Sequence, residues 1–467
     1  MLMKQQNILI IGAGLCGTLL AIRMAQRGCQ VTLIEKRPDL RKVNIGAGRS
    51  INLAFSNRGM KAMKLVGLQD KVKELCIPMY GRMIHDQEGN TFLSRYSGRE
   101  NEYINSISRT GLNALLLDEA EALPNIDIQF NCDCTSVDLE NATATFTNAE
   151  TNKQFTHSGD IVIGTDGAGS ALRKSMYLHK KFLFSFSQNF LSHGYKELSF
   201  PSAKDGGYLA EKGALHIWPR GENMLIALPN LDGSFTVTLF LSYSEGEYNF
   251  DNLTSPEAIK SYFKKYYPDA LELMPEIVKE FHQNPLGALG TVKCSPWSSY
   301  GKTLVMGDAA HAIVPFYGQG MNASFEDVVV FDEILNQYEG DWHRVFTEYE
   351  KVRKKDTDAI ADLALDNFHE MKSHTASALF QEKRKLETAF EKEFPQAYYS
   401  KYSLVTFKDD MSYSEAMKLG RAQDKAILNL LSDGKITESQ SLKEQLDLVK
   451  RETKEVLHDD AVVKNLM

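Results

Sequence analysis

Apolar and polar residues alternate along this chain in patterns that predict a parallel sheet beginning near residue 7. Residues 7–11 form a short apolar run, which is typical of a strand buried on both faces. Residues 15–27 are predicted to form a helix and residues 30–35 a second strand, so these segments predict a strand–helix–strand unit. Two further apolar strands, 160–164 and 303–307, come much later. The sheet is therefore assembled from distant segments, with other structure inserted between them.

The inserted segment, from about residue 180 to residue 290, has a different pattern. Apolar and polar positions alternate at 214–218, 224–228 and 235–241, and turn residues separate these runs, which predicts an antiparallel sheet. A helical pattern follows at 256–283, and helical patterns continue after residue 322. We therefore predict an α/β domain from residues 1–179 and 287–345, an inserted β-sheet domain from residues 180–286 with a contribution from 78–100, and a helical region from 346 to 467.

The composition is that of a globular chain with two or three structural units, because 467 residues exceed one ordinary core. Its 43% hydrophobic and 24% charged residues are ordinary for a soluble protein, and the net charge of -8 argues against nucleic-acid binding. The six cysteines have neither CxxC nor zinc-ligand spacing, so we expect thiols in a reducing cytoplasm and no metal. No apolar stretch reaches the roughly 18 residues of a membrane span. For the oligomeric state we expect either a monomer or a homodimer.

Three glycines follow the first strand at the spacing of a dinucleotide-binding turn. Gly12 permits the tight turn, Gly14 lets a pyrophosphate approach the backbone, and Gly17 lets helix and strand pack closely. The phosphates of a nucleotide would lie at the helix N-terminus, where N–H groups and the helix dipole attract anions. Glu35 ends the second strand, where its carboxylate can accept hydrogen bonds from a ribose and would repel a 2′-phosphate. FAD and NAD both fit this pattern, whereas NADP is disfavoured in this site.

Two further glycine-containing motifs follow the later strands and decide between these cofactors. One spans residues 164–170 and includes Asp166, and the other spans residues 307–322 and includes Asp308. Together with the first turn, they resemble the single-component flavin hydroxylases, the p-hydroxybenzoate hydroxylase-like family. The resemblance implies a Rossmann-like, glutathione reductase-type FAD-binding domain, with NADPH as a transiently bound co-substrate. Each motif alone also fits an ordinary turn from strand to helix.

The same resemblance assigns residues around FAD. It implies that Asp308 meets the ribityl chain, that the following helix directs its positive N-terminal end at the flavin, and that Arg109 reaches the phosphates or ribityl chain. Ser108 is equally suited to cap the helix that begins beside it. The cofactor-binding residues that the resemblance predicts are Gly12, Gly14, Leu15, Gly17, Glu35, Arg37, Arg49, Leu53, Arg109, Asp166, Asp308, Gly318, Gly320, Met321 and Asn322.

Longer strings narrow the resemblance to the kynurenine 3-monooxygenase branch of this family, over roughly residues 5 to 425. The strings are residues 48–54, 193–198, 214–219, 227–232, 235–240 and 402–407. In that branch an arginine and tyrosines hold the carboxylate of the substrate, and they match Arg82, Tyr96 and Tyr402. The other substrate-binding residues implied are Asn367, Glu370 and Met371 on one helix face, Ile226, Leu228 and Phe240 on the inserted sheet, and Phe316 and Tyr317. Ordinary core or surface packing is the alternative for these positions.

The resemblance implies hydroxylation of L-kynurenine to 3-hydroxykynurenine with NADPH and O2, through a flavin C4a-hydroperoxide, in tryptophan catabolism and NAD biosynthesis. No catalytic side chain is predicted, because the cofactor carries the chemistry while the protein orients the ring and excludes water. His193, His216 and His311 are interpreted as structural. Three alternatives stay open: a flavin hydroxylase for another aminoaryl acid, a flavin-binding protein without turnover, and a geranylgeranyl-type flavin reductase. The polar C-terminal helix predicts a protein without the membrane anchor of eukaryotic members.

Overall fold

A computed structural model describes residues 6–43, 52–181, 183–338, 340–373, 378–437 and 439–466, without the side chains at 371–373 and 460–466. The strands in these ranges are β1 (Asn7–Ile11), β2 (Gln30–Ile34), β3 (Leu53–Phe55), β4 (Cys76–Met79), β5 (Gly81–His85), β6 (Thr91–Arg95), β7 (Ile104–Ile107), β8 (Ile126–Gln129), β9 (Cys132–Asp138), β10 (Thr143–Asn148), β11 (Gln154–Ser158), β12 (Ile161–Gly164), β13 (Ser185–Phe200), β14 (Leu215–Arg220), β15 (Asn223–Pro229), β16 (Phe235–Ser242), β17 (Leu286–Ser295), β18 (Ser298–Ser299) and β19 (Thr303–Val305).

The helices in these ranges are α1 (Leu15–Gln26), α2 (Asn57–Val66), α3 (Gln69–Lys73), α4 (Arg109–Glu121), α5 (Ala171–Leu178), α6 (Pro256–Tyr266), α7 (Pro268–Glu272), α8 (Ile277–Gln283), α9 (Asp308–His311), α10 (Gly320–Tyr338), α11 (Trp342–Ser373), α12 (Ala378–Glu393), α13 (Lys401–Thr406), α14 (Tyr413–Ser432) and α15 (Leu442–Leu466). A short 3-10 helix covers Pro315–Tyr317.

A six-stranded sheet forms the centre of the predicted α/β domain. Its strands lie in the order β18-β19-β12-β1-β2-β8. All of its pairs are parallel except β18 with β19. β1 lies inside the sheet because its apolar residues, from Ile8 to Ile11, are buried on both faces. The late strands β12 and β19 extend the sheet beside β1, as their apolar runs predict. The carboxyl ends of β1, β12 and β19 therefore meet at one edge of the sheet.

A seven-stranded sheet of order β17-β13-β16-β15-β14-β5-β6 lies beside it. Its pairs are antiparallel except β14 with β5. One face carries Trp218 and Leu225 and packs on α6, α7 and α8, whereas Ile217 and Phe240 lie on the other face, in the core shared with α11 and α13. Alternation of side chains along each strand produces these two different faces.

Two of the predicted boundaries fall inside elements of the structure, because the boundary between 345 and 346 lies in α11 and the boundary at 287 lies in β17. β17 pairs with β13 over most of its length, so the predicted boundary at residue 287 falls inside a strand of the seven-stranded sheet. This happens because β17 continues the alternating pattern of the inserted segment before the chain returns to the parallel sheet. The rest of the division into domains stays a prediction. Two three-stranded sheets, β11-β10-β9 and β3-β7-β4, complete the described strands.

Candidate active site

The first glycine turn is tightly packed on one side and open on the other. Gly12 has a φ of +101°, and a Cβ atom there would lie 2.7 Å from the carbonyl oxygen of Thr165. A Cβ atom on Gly17 would lie 2.0 Å from the carbonyl oxygen of Gly12, so glycine is needed for α1 to approach β1 this closely. A Cβ atom on Gly14, by contrast, would meet no atom within 4 Å. The N-terminus of α1, where Leu15 is half-buried, therefore faces open space that suits a phosphate.

The two later glycine motifs meet this first turn. Thr165, in the second motif, donates its hydroxyl to the carbonyl oxygen of Gly12 at 2.8 Å. Gly307, in the third motif, has a φ of +63°, and a Cβ atom there would lie 3.1 Å from Sγ of Cys16 on α1. The three turns, from distant parts of the chain, therefore converge on the edge formed by the carboxyl ends of β1, β12 and β19.

Glu35 is buried at the end of β2, and its carboxylate is fully engaged on both oxygens. One oxygen accepts a hydrogen bond from the backbone N–H of Ala13 at 2.9 Å. The other accepts from the backbone N–H and the Nε–H of Arg37, at 3.1 Å and 2.7 Å. The carboxylate thus lies beside the first glycine turn. Because Arg37 neutralises part of its charge, repulsion of a 2′-phosphate is weaker than the sequence pattern alone predicts.

Asp308 and Arg109 place opposite charges in a recess beside the three turns. Both side chains are exposed, yet the surrounding protein raises the pKa of Asp308 by desolvation, and Arg109 opposes that rise. A carboxylate that is accessible and still desolvated lines a recess rather than a convex surface. Burial also raises the pKa of Tyr195 on β13, and Arg109 again opposes the rise. Tyr195, on the seven-stranded sheet, therefore lies near Arg109.

Asp166 has a second role that its motif alone does not reveal. Its Oδ2 accepts a hydrogen bond from the backbone N–H of Ala171 at 2.6 Å, at the N-terminus of α5. Its Oδ1 is buried and has no hydrogen-bond partner among the described residues, and burial raises the pKa of this carboxyl group. A buried carboxylate oxygen without a donor is costly, so a donor from a ligand would be favourable here. Contact of Asp166 with the cofactor stays a prediction.

The start of α10 is fastened to β3. Gly318, with a φ of +69°, follows the short 3-10 helix, and α10 begins at Gly320. Asn322 is completely buried, and its amide donates to the carbonyl oxygens of Ala54 and Gly318 at 2.8 Å and 3.0 Å. Its Oδ1 accepts from the backbone N–H of Ser56 at 3.0 Å. The Asn322 side chain therefore holds this edge together, and any contact with FAD would be made by its backbone.

A buried ion cluster under the third turn was not indicated by the sequence. Asp327 on α10 accepts from the backbone N–H of Gly307 at 3.1 Å, and its carboxylate lies 2.6 Å from Nε2 of His311 and 2.9 Å from Nε of Arg353. Burial raises the pKa of Asp327, but His311 and Arg353 lower it overall. The cluster fixes the Gly307 turn from below. The feature of the sequence that could have indicated it is the acidic pair Glu326 and Asp327, which directly precedes the apolar run 328–331 of α10.

Arg82, Tyr96 and Tyr402 come together from three distant segments. The guanidinium carbon of Arg82 lies 4.7 Å from the ring centre of Tyr402 and 5.4 Å from that of Tyr96. The two tyrosine rings are stacked with their centres 5.4 Å apart. The hydroxyl of Tyr96 is buried and has no hydrogen-bond partner among the described residues. This cluster, called the arginine–tyrosine cluster below, therefore offers a cation and a buried phenol that could serve an anionic ligand.

Apolar side chains connect this cluster to the glycine turns. The rings of Phe240 and Phe316 are 5.0 Å apart, and those of Tyr317 and Tyr402 are stacked at 5.6 Å. Ile226 is half-buried and packs against the two cores that hold Phe240 and Tyr96. Leu228, which is buried in the core of Tyr96, lies two positions further along β15. These side chains are placed together, and their contact with a substrate stays a prediction.

Helix α11 supplies polar groups from behind this apolar region. Asn367 donates its amide to the carbonyl oxygen of Phe316 at 2.5 Å. Glu370 lies 2.5 Å from Nζ of Lys401, which is also 2.7 Å from Asp424 on α14. Glu370 therefore already has a cationic partner, which the sequence did not indicate. Lys401 precedes Tyr402 on α13, so this ion pair also fixes the helix that carries the tyrosine.

Four more of the predicted residues lie outside the contacts given so far. Arg49 lies outside the described residues, and so does the side chain of Met371. Met321 is half-buried and packs, like Leu53, against the core of the parallel sheet. Both are close in sequence to residues at the glycine-turn edge, and their contact with the cofactor stays a prediction.

In the described part of the chain, no group of three or more histidine, cysteine, aspartate or glutamate side chains is arranged to hold a metal ion. None of the helices in that part is both long enough and apolar enough to cross a membrane.

Solved structures of similar fold support this architecture. The tetrameric form of 2-methyl-3-hydroxypyridine-5-carboxylic acid oxygenase matches with a TM-score of 0.62, over 85% of this chain and 99% of that chain, at 21% identity. PqsL from Pseudomonas aeruginosa, in complex with 2-aminobenzoylacetate, matches with a TM-score of 0.63, over 79% of this chain and 97% of that chain, at 15% identity. These likenesses confirm the predicted fold.

Sequence comparison identifies the family. Residues 5–362 match the model of the FAD binding domain family. Kynurenine 3-monooxygenase from Myxococcus xanthus is 44% identical over 431 residues, which cover 92% of each chain. The enzyme of the same name from Dictyostelium discoideum is 41% identical over 448 residues, 93% of this chain and 94% of that one. With three glycine turns meeting at one edge and these relatives matching over nearly their whole length, the chain belongs to the kynurenine 3-monooxygenase family of FAD-dependent monooxygenases.

Proposed function

We propose that this chain hydroxylates L-kynurenine to 3-hydroxykynurenine, with FAD as cofactor and NADPH and O2 as co-substrates. The observation that carries the proposal is the arginine–tyrosine cluster of Arg82, Tyr96 and Tyr402, which lies against apolar walls beside the glycine-turn edge. Kynurenine combines an amino-acid end, which needs a cation for its carboxylate, with an aminophenyl ketone, which needs apolar walls. Relatives named for this reaction share more than 40% of their aligned residues with this chain.

The described residues fit FAD. The open N-terminus of α1 above Gly14 suits the pyrophosphate, and Arg109 adds a cation in the recess beside it. Asp308 offers an accessible carboxylate to the hydroxyls of the ribityl chain. The N-terminus of α10, at Gly320, brings the positive end of a 19-residue helix to the same edge. When bound, FAD would take hydride from NADPH and supply one oxygen atom of O2 to the substrate ring.

The substrate would be held by side chains rather than activated by them. Arg82 would pair with the substrate carboxylate, and Tyr96, whose buried hydroxyl lacks a partner in the described structure, would donate a hydrogen bond to it. Ile226 and Phe240 would hold the aromatic ring and exclude water. Position 3 of the ring lies ortho to its amino group, so the substrate's own amine supplies electron density and no protein base is needed.

The amino group of the substrate would lie nearer to α11. We propose that Glu370 accepts the ammonium group as a second cation while Lys401 keeps its ion pair with Asp424. Asn367 would act mainly through its hydrogen bond to the carbonyl oxygen of Phe316, which fixes the apolar wall.

We further propose that the protein works in a reducing cytoplasm, since all six cysteines are unpaired. Whether it does so as a monomer or a homodimer stays a prediction.

The test is product analysis by mass spectrometry after the FAD-loaded protein is incubated with kynurenine, NADPH and air. We expect a product that is heavier than kynurenine by one oxygen atom, and NADPH consumption that depends on kynurenine. A panel of other aminoaryl acids should give markedly lower kcat/KM. NADPH consumption without a hydroxylated product, or a better substrate elsewhere in the panel, would contradict the proposal.

A further inference from the structure

Strand β5 carries Arg82 and also a buried histidine, His85, which lies on the other face of the sheet. Arg82 pairs with Leu215 on the substrate-facing side of the seven-stranded sheet. His85 comes three residues later on β5, so its side chain lies on the opposite face, which α7 covers. The parallel pairing of β5 with β14 extends over three residues of β5, from Arg82 to Ile84. His85 therefore adds its contacts where this short pairing ends.

The contacts of His85 involve both of its ring nitrogens. Nδ1 lies 2.8 Å from the carboxylate of Asp269 on α7, and Nε2 lies 2.9 Å from Nδ1 of His216 on β14. The ring is stacked on Trp218 with centres 3.9 Å apart. The indole N–H of Trp218 donates to the same Asp269 oxygen at 2.8 Å. His85 is thus joined to the neighbouring strand and to the covering helix at once.

Counting protons along this chain of hydrogen bonds defines the state of His85. Nε2 of His216 faces the carbonyl oxygen of Glu211 at 2.8 Å, which can only accept, so His216 carries its proton there. Burial lowers the pKa of His216 to about 4, so this ring is neutral and its Nδ1 is an acceptor. His85 must therefore donate from Nε2 to His216. It must also donate from Nδ1 to Asp269, an ionised acceptor whose pKa His85 and Trp218 lower against the effect of burial.

The surroundings suit a positive charge on His85. The titratable and charged groups around it are Asp86, Glu211, His216, Arg220, Tyr267 and Asp269. Arg220 donates to the carbonyl oxygens of His85 and Asp86, at 2.9 Å and 2.7 Å, so it also ties the end of β5 to β14. Asp269 is the carboxylate in direct contact with the imidazole ring, and it balances the charge of a doubly protonated His85.

We propose that His85, doubly protonated and paired with Asp269, is the positioning residue that holds β5 so that Arg82 meets the carboxylate of the substrate. The inference rests on the proposed function for its kinetic readout. It predicts that substrate binding weakens when the imidazole of His85 is replaced, because β5 then loses the paired hydrogen bonds to Asp269 and His216. The bound flavin is expected to be unaffected, because His85 lies on the opposite face of the sheet from Arg82.

The decisive experiment compares the KM for kynurenine, the kcat and the FAD content of His85→Gln with those of the wild-type enzyme. Glutamine keeps a hydrogen-bonding amide but cannot carry the charge. We expect the KM for kynurenine to rise about tenfold, an effect the size of one charge-assisted hydrogen bond, while kcat and FAD content change by less than about twofold. The matched control is His282→Gln, which changes an exposed histidine.

Other results would contradict either the role of His85 or the proposed function of the chain. An unchanged KM in His85→Gln, or a fall in kcat and FAD content as large as the rise in KM, would overturn the proposal. If the wild-type chain does not hydroxylate kynurenine, the proposed function fails instead. In that case nitrogen-15 NMR of histidine-labelled protein, with His85→Gln identifying the signal, still decides: an imidazolium signal for His85 at neutral pH supports the proposal, and a neutral ring overturns it.

Discussion

The cofactor side and the substrate side of this molecule are built in different ways. The cofactor side is a backbone structure, in which Gly12, Gly17 and Gly307 bring three turns within contact distance. The substrate side is a side-chain structure, in which Arg82, Tyr96 and Tyr402 meet from β5, the segment after β6 and α13. The first depends on how closely the backbone can approach itself, and the second depends on where long side chains are held. The same substitution strategy should therefore have different effects on the two sides.

The largest effect is expected from Gly17→Ala compared with Gly14→Ala. The Cβ atom in Gly17→Ala would lie 2.0 Å from a backbone oxygen, so α1 must move, and we expect loss of FAD together with destabilisation of the fold by about 3 kcal/mol or more. In Gly14→Ala the Cβ atom enters open space, so the apoprotein should keep its stability while FAD binds more weakly. Thermal unfolding of the apoproteins and flavin titration measure both. Equal destabilisation of the two apoproteins would contradict the comparison.

The second effect is expected from Arg82→Ala, which removes the cation of the substrate side. Loss of a charge-assisted contact should cost about 2–3 kcal/mol of substrate binding, so the KM for kynurenine should rise roughly 30- to 150-fold. FAD content and thermal stability should stay near those of the wild type. The control is Arg95→Ala, which changes an exposed arginine on the adjacent strand β6. Steady-state kinetics measure the KM of both variants. A KM of Arg82→Ala equal to that of the wild type would show that Arg82 does not bind the substrate.

A smaller effect is expected from Tyr96→Phe. Its hydroxyl is buried and has no partner in the described structure, so removing it should leave the apoprotein as stable as the wild type or slightly more stable. The KM for kynurenine should rise about fivefold, which corresponds to about 1 kcal/mol for one hydrogen bond. Tyr398→Phe serves as control, because that hydroxyl donates to Glu387 inside the protein. If Tyr96→Phe loses stability and its KM does not change, the hydroxyl serves the fold and not the substrate.

The smallest effect is expected from Asp308→Asn on the cofactor side. Desolvation raises the pKa of Asp308 in the folded state, so its charged form weakens the apoprotein, and this cost is relieved as the pH falls towards the raised pKa. The asparagine variant should therefore be slightly more stable than the wild type at neutral pH, and the difference should shrink as the pH is lowered towards about 4. Thermal unfolding of both apoproteins across this range measures it. A variant that is less stable than the wild type at neutral pH would show that the Asp308 carboxylate stabilises the apoprotein.

The same contrast decides how much of the molecule could be predicted from sequence. The turns at Gly12–Gly17 and Gly307 have fixed spacing after apolar strands, so their elements and their convergence on one edge were predictable. The position of Asn322 was predictable, but its role was not, because its hydrogen bonds to Ala54 and Gly318 depend on a strand far away in sequence. The resemblance to a family, rather than any local pattern, brought Arg82 and Tyr402 together.

Buried charges account for most of what the sequence did not reveal. Lys401 was not predicted as the partner of Glu370, and the contacts of Asp327 with His311 and Arg353 were not predicted either. Each of these pairs joins residues from different elements, and the local pattern of a charged residue in a helix is the same whether it faces water or a partner. Long-range pairing also set the length of β13, whose first half is largely exposed and is identified as a strand by its partner β17.

The order of the strands in the six-stranded sheet has a consequence for synthesis of the chain. β12 lies between β1 and β19, but β19 leaves the ribosome only after the whole inserted sheet has been made. Until then the apolar edge of β12, with Ile161 and Val162, has no neighbour on that side, and such an edge can pair with other chains. Slower translation through the inserted segment, or a shortage of chaperones during expression, is therefore expected to increase aggregation of this protein.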